Sequence, residues 1–380
     1  MIKALSAKQQ LCLLRCKDIL KLCPYNSSTL IVFIAIISLF IACNMSSEKS
    51  TDDKQVQVEL NKLNNLLRDS SFAVTIANHH EAGYADASGA TQSPAGPDPL
   101  IKKSFKEDKI AINLAGFYAV ECGIGAISKA TGKKPLDVLK QIVEHRLDTN
   151  QIFLLNMFAN ATWKAGQPFR GLNRIHRSNF VVTAFLSKEE IKKDYDQVLG
   201  AATLLLTKLN GLPADAPARD QFAAIEKLMK DKAFAGEMAA YMEAAYYKGQ
   251  NQPIPPFMQP GEDTTTLMKS VDEERLATNL AGLYALDCGV EYLAVINRKL
   301  PSEILQAIIN NRVKEEDKDL LERFANATWK AGQPFRGLDR ITRDVFKPFD
   351  LLPPSETEKD WKQIQMAARL VSAELSKTST

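Results

Sequence analysis

One block concentrates the side chains best suited to holding a partner. It runs Phe158-Ala-Asn-Ala-Thr-Trp-Lys-Ala-Gly-Gln-Pro-Phe-Arg-Gly-Leu-Asn-Arg-Ile175 and recurs at Phe324–Ile341 with a single change, Asn173 to Asp339. In and just beyond it lie Trp163, Lys164, Phe169, Arg170, Arg174 and Arg177, matched by Trp329, Lys330, Phe335, Arg336, Arg340 and Arg343. Arginine and large aromatic residues dominate binding hot spots, and a guanidinium fork fits carboxylate or phosphate oxygens two at a time. Two such patches on one chain could grip a polyanionic or repetitive partner, such as nucleic acid or a glycosaminoglycan, with added avidity. The same residues also fit a structural corner. Gly166 would end a helix and Pro168 forbid its continuation, while Trp163, Phe169 and Leu172 plug the bundle. Arg170 or Arg174 would then be satisfied by helix carbonyls or by Glu190 and Asp194, with Glu356 and Asp360 in the second copy.

Catalytic chemistry finds less material. The four histidines do not recur: His145 meets Asn311, His176 meets Thr342, and His79-His80 fall opposite Tyr241-Met242. A histidine-based catalytic or metal site kept in both copies is thereby excluded. His79-His80-Glu81 lacks the spacing that sets two ligands on one helical face, so both read as surface histidines. Cys122 and Cys288 sit at matching positions among small residues and read as buried free thiols behaving as small hydrophobes; a catalytic thiol needs a base beside it. Phosphate loops and nucleophile elbows are absent. The expectation is a protein that is not an enzyme, with no metal and no cofactor beyond a covalent lipid.

That lipid follows from the leader. Residues 1–28 carry Lys3, Lys8, Arg15, Lys17 and Lys21 against Asp18, and an apolar run from Leu30 to Ala42 ends at Cys43. A cationic segment before a short apolar one is the layout of a signal peptide, and the run falls short of the ~20 residues that span a bilayer. Phe40-Ile41-Ala42-Cys43 resembles a bacterial lipobox, with phenylalanine where leucine is usual. Residues 1–42 are therefore expected to be a lipoprotein signal peptide, Cys43 the lipidated N-terminus, and 43–55 a solvated tether. Of 48 basic and 45 acidic residues in the chain, the leader holds five and one, which leaves 43 against 44. A general nucleic-acid binder needs a basic surface, and the remainder has no such excess.

Two elements of repetition must position these residues. At an offset of 166, Asn113-Leu-Ala-Gly-Phe-Tyr-Ala-Val-Glu-Cys-Gly123 aligns with Asn279-Leu-Ala-Gly-Leu-Tyr-Ala-Leu-Asp-Cys-Gly289. Upstream, at an offset of 162, Arg68-Asp69 pairs with Lys230-Asp231 and Phe72-Ala73 with Phe234-Ala235. The spacing of apolar residues is helical throughout. The expected fold is all-α: two tandem, homologous modules of about five helices, 56–209 and 218–375, joined by a linker at 210–217 and followed by a tail at 376–380. In module 1 helices are expected over about 56–82, 105–130, from Pro135, over 150–165, and from Ser187, which opens a capping pattern with Glu190. Ala115, Gly116, Ala119, Cys122 and Gly123 form a small-residue strip that lets a neighbouring helix come close.

Leader, tether and tandem helical body together resemble the outer surface lipoproteins of Borrelia-type spirochaetes. The resemblance is specific in the leader and one of style in the body. It implies attachment to the outer membrane through palmitate and other acyl chains on Cys43, display at the cell surface, and binding of host proteins or glycosaminoglycans in adhesion or immune evasion. A periplasm-facing envelope scaffold is the alternative.

Overall fold

The computed structural model describes residues 51–88 and 99–377, with side chains of 54–82 in the first stretch. Repeat 1 contributes α1 (Thr51–Leu67), α2 (Ser70–Ser88), β1 (Leu100–Ser104), α3 (Phe105–Asn113), α4 (Ala115–Thr131), α5 (Pro135–Val143), α6 (Thr149–Gly166) and α7 (Lys188–Lys208). Repeat 2 follows the same order with α8 (Ala218–Met229), α9 (Lys232–Gly249), β2 (Thr266–Ser270), α10 (Val271–Asn279), α11 (Ala281–Asn297), α12 (Pro301–Ile309), α13 (Glu315–Gly332) and α14 (Pro354–Lys377). The protein is mostly helical, in keeping with an all-α fold.

Local chemistry explains the boundaries. The single helix expected over 56–82 is broken at Asp69, whose Oδ1 accepts from the N–H groups of Ser71 and Phe72 and so caps a new helix. Asp231 does the same for α9. The helix expected over 105–130 bends at Leu114, after α3 has been capped by Ser104. Pro135 and Pro301 open α5 and α12, and Ser187 Oγ accepts from the Glu190 N–H at 3.2 Å to start α7.

A short antiparallel ribbon was not legible from alternation: β1 pairs with β2. Its register sets Lys102 opposite Met268, residues 166 apart and hence equivalent in the two repeats. Two further pairs of equivalent residues meet face to face. The Phe158 and Phe324 rings stack with centroids 4.1 Å apart, and those of Phe169 and Phe335 at 5.2 Å. Residues that touch their own counterparts mark a two-fold axis, so the repeats are related by a pseudo-two-fold.

The two repeats, 56–209 and 218–375, share one interior. Gln55–Thr380 is one compact unit with a single principal core drawn from both repeats. The reason is an exchange of helices. α2 of repeat 1 packs on α10 and α14 of repeat 2, while α9 of repeat 2 packs on α3 and α7 of repeat 1. Matching contacts hold both crossings. Leu136 N–H donates to Gln221 Oε1 at 2.9 Å, and its equivalent, Ser302 N–H, donates to Glu59 Oε2 at 2.8 Å. Asn113 Nδ2 donates to Glu243, as Asn279 Nδ2 does to Glu81. Residues 210–217 form the turn between α7 and α8.

The small-residue strip works as the spacing suggests. A Cβ on Gly123 would run into Leu155, and one on Gly289 into Leu321, so α4–α6 and α11–α13 lie close. Phe105–Thr131 and Val271–Asn297 are long and apolar enough to cross a membrane by composition alone, but they are mostly buried inside the body. His80, expected at the surface, is buried against Gly282, with Nδ1 2.6 Å from the Asn279 carbonyl. His79 is exposed.

Candidate functional site

The repeated block divides into a part taken by the core and a part left at the surface. Lys164 is fully buried at the middle of the molecule and donates from Nζ to Asp287 Oδ2 at 2.5 Å; Lys330 does likewise to Glu121 Oε2 at 2.5 Å. Each pair crosses from one repeat to the other. Burial works against the charged amine, but Asp287, with Cys288 and Glu291 behind it, outweighs that cost and holds Lys164 above the usual lysine range. These lysines are not surface contacts, which corrects the expectation of a basic patch that includes them.

The aromatic residues also pack inward, Trp163 and Trp329 as half-buried rings against the core. Trp163 packs on Phe180, which meets Tyr284 edge-on, and Trp329 packs on Phe346, which meets Tyr118. Phe169 and Phe335 are buried in their mutual stack. Lys103 and Lys269 brace this corner from the ribbon, donating to the carbonyls of Arg336 and Phe169.

What remains outward is arginine. Arg170 and Arg174 are half-buried and Arg177 is exposed; Arg336, Arg340 and Arg343 repeat that gradation. Partial burial and the neighbouring Arg174 push the Arg170 guanidinium down to about 10. Arg340 is likewise pushed down to about 10 by burial and by Arg336 and Arg343. Arg174 Nη1 is buried without a hydrogen-bond partner. The acids expected to neutralise these groups are engaged elsewhere: Glu190 with Lys193 and Asn179, Asp194 with Asn160, and Asp360 with Asn326. Asp108, the acid beside Arg170, is bonded to Lys269 at 3.0 Å, while Arg336 Nε lies 3.9 Å from Glu274.

In repeat 1 these arginines border a cleft of about 1300 Å³, walled by α3, the end of α6, α7 and α9. Arg170 and Arg177 line it together with Asn160, Trp163, Gln167 and Asp194 at the α6–α7 wall and Tyr246 and Tyr247 on α9. Burial raises the Asp194 carboxyl to about 7, against the pull of Asn160 and Lys164. Its Oδ2 and the Oε1 of Gln167 are buried without a hydrogen-bond partner. Sequence reasoning missed the tyrosines of α9, because the helix exchange that brings them here leaves no mark in local spacing. Asn160, Gln167 and Asp194 recur as Asn326, Gln333 and Asp360, a signal that was available.

Cys122 and Cys288 are buried and free, and burial pushes both thiols well above the usual range. Among the described residues no cluster of histidine, cysteine and carboxylate side chains is arranged to hold a metal. Cys43 lies outside the described residues. No known protein family, curated protein or solved structure matches the chain.

Proposed function

We propose that the chain is a lipid-anchored bacterial surface protein, tethered through Cys43, whose body is a non-enzymatic binder of an anionic partner. The observation that carries the binding reading is the division of the repeated block. Its lysines and the Phe169–Phe335 pair are taken up by the interior, while Arg170, Arg174 and Arg177, and likewise Arg340 and Arg343, keep side chains at the surface and crowd one another. Like charges held close together repel, and an anion bound among them relieves that repulsion. The lipobox-like Phe40-Ile41-Ala42-Cys43 supports the anchor, and the resemblance to Borrelia-type lipoproteins favours display to host molecules.

Chromatography on an immobilised sulfated polysaccharide tests the binding reading. The intact chain should elute at higher salt than the double variant Arg170→Ala/Arg336→Ala; passage of the wild type without retention overturns it. Palmitate labelling tests the anchor separately: label is expected on the wild type and lost in Cys43→Ala.

A further inference from the structure

The cleft of repeat 1 has more structure than an electrostatic patch requires. Arg170 and Arg177 line it; three acids of its lining, Asp108, Glu190 and Glu243, are ion-paired with Lys269, Lys193 and Lys109, and the remaining polar lining consists of hydrogen-bonding groups. Two of these, Asp194 Oδ2 and Gln167 Oε1, are buried yet bonded to nothing. Both residues are more than nine-tenths buried, at 9% and 3% exposure. Buried polar atoms in folded proteins are ordinarily paired, and each orphan costs free energy until a partner arrives. Both residues line the same cleft. The side chains flanking them are the ring of Trp163 and the amide of Asn160, which already engages Asp194.

We infer that this cleft is a specific site for a small hydroxylated oxyanion, a sugar acid or sugar phosphate. The anionic group would sit on Arg170 and Arg177, and the hydroxyls on Asp194 and Gln167. The inference rests on the anionic-partner reading above and names the chemical class of what enters. Guanidinium groups bind carboxylate and phosphate through paired charge-assisted hydrogen bonds. A hydroxyl both donates and accepts, so one hydroxyl answers the bare Gln167 oxygen and another the Asp194 carboxyl. The elevated Asp194 carboxyl, neutral in mildly acidic solution, can itself donate and adds no repulsion toward an anion. The cleft volume exceeds that of most drug-sized pockets, which leaves room for such a group as the end of a longer molecule.

The second repeat bears on specificity. Outside the near-identical block, the lining residues Arg177, Glu190, Lys193, Asp194 and Gln197 return unchanged as Arg343, Glu356, Lys359, Asp360 and Gln363. Other lining residues differ: Asn179 becomes Val345, Phe185 becomes Leu351 and Ser187 becomes Pro353. The charged lining and Gln197 are thus kept in repeat 2, while Asn179 and Ser187 lose their polar groups there.

Isothermal titration of the full chain in detergent decides the matter, with glucuronate and glucose 6-phosphate as probes and glucose and inorganic phosphate as comparators. Saturable binding of at least one probe is expected, about tenfold or more tighter than either comparator. The preferred probe tells carboxylate from phosphate. Arg170→Gln with Arg177→Gln should remove one equivalent of bound probe, and so should Asp194→Leu. Asp194→Asn, which keeps a neutral hydrogen-bonding group of the same shape, should retain binding within about threefold. Absence of saturable binding by both probes overturns the inference, as does binding that inorganic phosphate reproduces or that the arginine variant leaves intact. A silent titration beside retention on the polysaccharide column would remove this site and leave the broader reading standing.

Discussion

At the scale of single residues, Lys164 shows how a motif that looks like a contact surface becomes a structural rivet. Its amine and the Asp287 carboxylate are both fully buried, so each depends on the other for compensation. Lys164→Met is expected to destabilise by about 3–5 kcal/mol, because it strands a buried carboxylate. Adding Asp287→Leu should recover most of that loss, since an apolar pair of similar volume carries no desolvation cost. Urea unfolding of the single and double variants measures both, and equal loss in the two would contradict the argument. Asp194 makes a second prediction. Its folded carboxyl titrates at about 7, whereas the unfolded one ionises in the ordinary range. Between those limits the folded state holds the extra proton, so this group's contribution to stability falls as pH rises and is level above about 7. Melting temperatures measured from about pH 5 to 8 should therefore decline less in Asp194→Asn than in the wild type. Parallel curves for the two proteins would refute it.

Between elements, small residues and caps decide how closely helices meet. Gly125 lies where the Arg323 guanidinium forms a two-point contact with Asp350 at 2.8 and 2.7 Å, and any Cβ there would collide with both. The equivalent position in repeat 2 is Glu291, whose carboxylate accepts from the N–H groups of Thr183 and Ala184. The two halves thus anchor the same turn by different chemistry. Gly125→Ala should gain a little helix propensity and lose more to overpacking, for a net cost of about 1–3 kcal/mol by thermal or chemical unfolding. A neutral or stabilising outcome would mean that Arg323 yields freely. The helix starts at Pro135, Pro301 and Ser187 were legible in the sequence because caps are local. The breaks at Asp69 and Leu114 were not, because apolar spacing runs on across them.

On the scale of the whole molecule, the exchanged helices make connectivity and architecture disagree. The turn at 210–217 joins the repeats covalently, but α2 and α9 lock them by packing each on the other's body. A protease site placed within 210–217 should, once cut, leave a particle of unchanged mass in size-exclusion chromatography. Release of two separate fragments under native conditions would show that the crossed contacts do not hold the halves. The stacked Phe158–Phe324 pair and the crossed lysine pairs lie at the centre of this interlock.

The amino-acid sequence determined the duplication, the helical character, the small-residue strip and most helix starts, because each is written in local spacing or in direct comparison of one copy with the other. It also placed the repeated arginines, and the cysteines as buried and free. Tertiary structure alone decided which half of the shared block faces solvent. A lysine reads as exposed until an acid 123 positions away is brought against it, and no periodicity encodes a partner on the other repeat. The same holds for the cleft: α9 closes it from a repeat that the linear order assigns to a different module. Burial depends on what folds over a residue, and here that cover comes from the far half of the chain.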